Sequence, residues 1–112
     1  MINVRNKGKR GELEVVKIIN KFLNTTLRRT PNSGGLSIKG DIIDTKDTIV
    51  HNIHFEIKNQ SNIAIPKWWK QTTSDCSSNK VPILIFKHNN QWLSVLLLND
   101  LLYFIKDTNN NQ

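Results

Sequence analysis

The feature that most constrains this chain is a strict alternation at residues 53–58, where Ile53, Phe55 and Ile57 are apolar and His54, Glu56 and Lys58 are polar. Successive side chains of an extended strand leave opposite faces, so a period of two offers one face to a core and the other to polar surroundings. Such a strand needs partner strands and a covering layer. Residues 9–23 supply a candidate cover. Val15, Val16, Ile19, Phe22 and Leu23 recur at three- and four-residue spacing, which predicts a helix from about Lys9 to Leu23 with those five on its inner face.

The remaining pattern fills out the order. Thr25–Thr30 reads as a short strand, and residues 30–40 (TPNSGGLSIKG) as a loop rich in Pro, Asn, Ser and Gly. Strands are predicted near Lys39–Asp44 and Ile49–Lys58, joined by a polar turn at Thr45–Asp47 and therefore expected to be neighbours. Pro66 can open a helix through Trp68, Trp69 and Gln71. Val81–Lys87 and Gln91–Leu98 make a hairpin across His88–Asn90, a helix spans Asn99–Lys106, and Asp107–Gln112 is expected to fray. The reading is one α/β domain over residues 1–112, in the order α-β-β-β-α-β-β-α, with a central mixed sheet flanked by helices.

Charge is unevenly spread. The first 30 residues carry eight basic and two acidic side chains, a net of +6, whereas the other 82 carry eight and seven, a net of +1. A concentrated basic segment suits a polyanion, nucleic acid first, although charge runs also serve as solvated surface. No apolar run approaches membrane-spanning length, no secretory signal is visible, and the single Cys76 gives neither a disulfide framework nor a thiolate cluster and fits a reducing cytosol.

Glu56 and Lys58 leave the same face of their strand, which alone is also the pattern of a solvated cross-strand ion pair. Asp41, after Gly40 on the preceding strand, would add a second carboxylate, and two converging carboxylates repel unless a cation joins them. Oxygen donors without clustered cysteine or histidine favour Mg²⁺, with Mn²⁺ as substitute. Asp41 reads equally as a turn cap. Glu12 lies three, four and seven residues before Val15, Val16 and Ile19, hence on the inward face, where a carboxylate needs a partner such as Lys58 or a metal-bound water; Glu14 lines up with Lys17 and Lys21 on the outward face. The bland reading of Glu12 is a first-turn acid at a helix dipole.

Taken together, Gly8-x-x-x-Glu12, Gly40-Asp41 and Glu56-Ile57-Lys58 resemble the PD-(D/E)XK nuclease superfamily, most closely small archaeal-type Holliday-junction resolvases and related phage nucleases, over Lys7 to about Leu98. The resemblance implies a restriction-endonuclease-like core and a Mg²⁺-dependent endodeoxyribonuclease, cytoplasmic in a bacterial or phage-infected cell. It implies that Asp41, Glu56 and the Ile57 carbonyl bind the metal, that Lys58 is the catalytic lysine, and that Glu12 is the helix-borne acid. The longer Gly-Ser loop and the Trp68-Trp69 pair depart from the resolvase pattern. Lys7, Lys9, Arg10, Arg28, Arg29, Ser33, Lys67 and Lys70 are the expected DNA contacts, with Gln60 and Gln71 as neighbours of the site. Branched DNA with paired scissile strands would suit a homodimer. Of the two tryptophans, one is expected in the core and the other partly exposed. Two further readings remain: a restriction- or repair-type nuclease on duplex or nicked DNA, and an inactive basic DNA-binding module, against which the intact acidic-lysine set speaks.

Overall fold

The computed structural model describes residues 4–30, 42–43 and 49–110. Their order is α1 (Val4–Leu23), β1 (Arg28–Arg29), β2 (Ile42–Ile43), a 3-10 turn (Ile49–Asn52), β3 (Ile53–Lys58), α2 (Ile65–Asp75), β4 (Val81–His88), β5 (Gln91–Val95) and α3 (Leu98–Asn110). This is the expected α/β succession. β3 and β4 are parallel, with Phe55 opposite Ile83 and Lys58 opposite Phe86, and α2 makes the crossover that a parallel pair requires. β4 and β5 are antiparallel, so the three-stranded sheet is mixed. Asn89 and Asn90 both take positive φ, 51° and 61°, the backbone of a two-residue hairpin turn whose twist matches its strands.

The two faces of the sheet bury different groups. Phe55 and Ile57 join Val15 and Val16 of α1, with Leu27 and Ile42, in one core cluster. Leu84 and Phe86 meet Trp68 of α2 in the other, the Trp68 and Phe86 rings lying 5.9 Å apart. Trp69 is half-buried, so the pair divides as expected and the Trp68 ring is committed to the core.

Several boundaries differ from the sequence reading. α1 begins at Val4 rather than Lys9, so the basic residues Lys7, Lys9 and Arg10 ride on the helix itself. Its inner face buries Val15 and Val16, but Phe22 is 83% exposed and Leu23 56%. A 20-residue helix is about 30 Å long and a six-residue strand about 20 Å, so the helix overhangs the sheet and its last turn has nothing to cover. Asn24, at φ 54°, ends the helix in the left-handed region with Thr25 N–H donating to Asn20 O at 3.3 Å. The Asn20 side chain then accepts from Leu27 N–H at 2.8 Å and donates to Leu27 O at 3.0 Å, which folds the chain back and buries Leu27. Ile49–Asn52 coils instead of extending, and among the described residues β2 forms its ladder with β1 and none with β3; Ile42 nevertheless packs in the cluster of Phe55 and Ile57. β5 stops at Val95, and α3 runs to Asn110, with Thr108 Oγ1 donating to Phe104 O at 3.0 Å inside the stretch expected to fray.

Candidate active site

β3 carries the candidate site residues, and both α1 and α2 pack against it. His54, Phe55, Glu56 and Ile57 are all buried, so Glu56 is not the solvated surface acid that its E-x-K context alone would suggest. Its side chain is 8% exposed, and among the described residues the charge partner beside it is the His54 imidazole, an ion pair only when protonated, with Nε2 3.6 Å from Oε1. That separation is too long for a hydrogen bond, and His54 Nε2, itself buried, has no hydrogen-bond partner among the described residues. Lys58 stands half-buried at the C-terminal end of the same strand face.

Glu12 approaches from α1. Burial pushes its carboxyl above the ordinary carboxylate range; Arg29 opposes the rise, the charge of Glu56 adds to it, and Lys58 opposes it again. The partner of this inward-facing acid is Arg29, with Nε 3.4 Å from Oε1, rather than the Lys58 that the sequence suggested. Arg29, expected as a phosphate contact, is half-buried beside Glu12. Glu12, Glu56, Lys58 and Arg29 form one electrostatically coupled group, two acids and two cations from α1, β3 and β1.

Asp41 lies outside the described residues, as do Gly40 and Ser33. Among the described residues no three His, Cys, Asp or Glu side chains are grouped so as to hold a metal. The donor chemistry present still suits a hard divalent cation: a buried carboxylate lacking any Lys or Arg salt bridge among the described residues, with a second carboxylate near enough to raise its own affinity for protons.

On the flank of α1 a groove of about 570 Å³ opens between the helix and the β4–β5 hairpin. Lys7, Arg10, Asn59, Gln60, Lys87 and Asn89 contribute to its wall. Lys7 Nζ donates to Ser61 Oγ at 3.2 Å, and Asn59 Nδ2 donates to Lys7 O at 3.0 Å, which ties α1 to the chain leaving β3. Glu14, although exposed, is not paired with Lys17 or Lys21; it accepts from Lys87 Nζ at 3.1 Å and Trp92 Nε1 at 3.0 Å, and the Trp92 bond, followed by Lys87, holds its carboxyl below the usual range. Lys9, Arg28, Lys67 and Lys70 are exposed, Lys67 and Lys70 on α2 together with Gln71. Gln71 is exposed on α2, and Gln60 lines the groove. Burial raises the Cys76 thiol and its sulfur faces the carbonyls of Ser77 and Lys80, which makes it a poor nucleophile.

Residues 3–111 match the family model described as "Phage putative PDDEXK endonuclease". The chain belongs to that family. Protein D14 of Escherichia phage T5 is similar to it, 31% identical over 114 residues that cover 85% of this chain and 71% of that protein. No solved structure matches. Two residues were given no role by the sequence reading. His54 shares the face of Glu56 by the same alternation that singled out Lys58. Gly11, rather than Gly8, is the glycine that packing requires: a Cβ on Gly11 would sit 2.8 Å from Asn59 Cβ and 3.3 Å from the Trp92 ring, whereas one on Gly8 would meet nothing within 4 Å.

Proposed function

We propose that this member of the phage endonuclease family is a divalent-metal-dependent DNA endonuclease that prefers branched DNA, in the manner of a Holliday-junction resolvase. One observation carries the reading: Glu56 is a buried strand carboxylate without a Lys or Arg salt bridge among the described residues, and its charge and that of Lys58 are both felt by the Glu12 carboxyl. Burying a carboxylate without a Lys or Arg partner carries a cost of order kcal/mol, a sizeable part of the stability margin of a small domain, and a bound cation would offset it.

Asp41, Glu56 and the Ile57 carbonyl would hold Mg²⁺, or Mn²⁺ in its place. Asp41 directly precedes Ile42, whose side chain packs with Phe55 and Ile57. A bound ion of this kind lowers the pKa of a water and polarises a phosphate oxygen. The water oxygen bonds to phosphorus as the bond to the leaving sugar oxygen breaks, and the water's proton passes through solvent to the leaving group. Lys58 Nζ offsets the negative charge growing on the phosphate oxygens, and Glu12 holds and orients water beside it. Lys7 and Arg10, at the groove that opens beyond Lys58, take backbone phosphates of the flanking strand without reading bases. Lys9 and Arg28, exposed on the same basic segment, and Lys67 and Lys70 on α2 extend that contact.

The test is cleavage of labelled four-way junction, flap and linear duplex in Mg²⁺ and in Mn²⁺. The junction is expected to be cut fastest, with Asp41→Asn abolishing cleavage and leaving binding intact. Absence of cleavage of all three substrates in both ions would overturn the nuclease reading; faster cutting of linear duplex would overturn the junction preference.

A further inference from the structure

We infer that α3 is a self-association element, through which two copies of this chain pair by an apolar stripe that their own fold leaves uncovered. At 100° per residue Leu98, Leu101, Leu102 and Ile105 fall within one arc of about 100°, the width of a core-facing stripe. All four face solvent, at 66%, 42%, 51% and 48% exposure, and Leu97 beside them at 52%. The half-buried residues of the helix, Asp100 and Phe104, lie on its other side, and Asp100 is close enough to act on the Cys76 thiol at the end of α2. The helix therefore leans on its own body by an acid and one aromatic ring and turns its leucines outward. It makes no extensive contact with any other described element.

Charge and area together favour a second copy as the occupant. Residues 97–110 hold one basic and two acidic side chains, a net of −1, on a chain whose net charge is +7. Two such chains repel over most of their surfaces and approach at least cost through this end, while a polyanion or an acidic membrane finds no attraction here. None of the stripe residues is charged, so the surface is complementary to itself, and an antiparallel pair also sets opposed helix dipoles side by side. Leu97, Leu98, Leu101, Leu102 and Ile105 together present on the order of 500 Å² per copy, so a pair buries about 1,000 Å², the lower edge of a specific interface. That area fits a dimer that forms in the micromolar range and comes apart on dilution.

The inference goes beyond the nuclease reading and does not depend on it, because the association is read without any cleavage. Sedimentation velocity of the full chain between about 1 and 200 µM is the test, run alongside a Leu101→Glu/Ile105→Glu variant and a Phe22→Glu control on the exposed end of α1. The unsubstituted chain and the control are expected to move from monomer to dimer as concentration rises. The α3 variant is expected to stay monomeric throughout that range, at least tenfold weaker in self-association, with an unchanged far-UV spectrum and Tm. A chain that is monomeric at every concentration overturns the inference. So does an α3 variant that dimerises like the parent, or loss of the dimer in Phe22→Glu.

Discussion

α1 and α3 are both amphipathic helices, and they are used in opposite ways. α1 lays Val15 and Val16 on the sheet, brings Gly11 to within a methyl group of Asn59, and carries Glu12 to the buried face of β3. α3 turns its leucines to solvent and contributes no residue to the acidic-lysine group. The difference teaches that an apolar stripe specifies a helix but not what covers it: the same periodicity is core in one place and surface in the other. The helix that is locked down is the one that carries the proposed catalytic carboxylate, Glu12, and packing is what would hold such a group in place.

The comparison breaks most sharply under charge insertion. Val15→Asp puts a carboxylate where 3% of the residue is exposed, and urea unfolding should show loss of several kcal/mol or no folded state at all; Leu101→Asp in dilute, monomeric protein should cost no more than about 0.5 kcal/mol. The glycines of α1 sharpen it further. Gly11→Ala should lose about 1–3 kcal/mol, because the Cβ meets Asn59 Cβ and a tryptophan ring, whereas Gly8→Ala, in open space within a helix, should gain about 0.5–1 kcal/mol.

The smallest effect concerns the rim. Glu14 is held below the usual carboxylate range by Trp92 and Lys87, so its folded pKa lies below its unfolded one. Its contribution is therefore fully present above the unfolded value and is lost as pH falls through the folded value. For a half-exposed group this amounts to about 0.2–1 kcal/mol. The stability difference between the unsubstituted chain and Glu14→Gln should be constant from neutral pH down to about 5 and should close below about pH 4; a difference unchanged at pH 3 would show that the ion pair and indole bond do not carry it.

Much of this was legible in sequence, for a local reason. The alternation at 53–58 and the spacing of Val15, Val16 and Ile19 encode β3 and α1 directly, because backbone periodicity fixes which face a side chain takes. By the same rule the inward placement of Glu12 and the placing of Glu56 with Lys58 on one face were readable, and so was that of His54, which has the parity of Glu56. The Glu12–Arg29 pair was not readable, because it depends on β1 folding back through the Asn20–Leu27 bonds. Exposure of Phe22 and Leu23 was hidden too, since periodicity carries no information about where the sheet beneath a helix ends. Gly11 and Gly8 look alike in sequence; only the approach of Asn59 separates them.

The most direct test is single-turnover cleavage of a four-way junction by the unsubstituted chain, Glu56→Gln and Lys58→Ala, with DNA affinity measured in parallel in EDTA. Each substitution is expected to slow cleavage by roughly a thousandfold or more while affinity stays within about threefold, because neither side chain is needed to hold the backbone. Cleavage within tenfold of the unsubstituted rate in both variants would contradict the account.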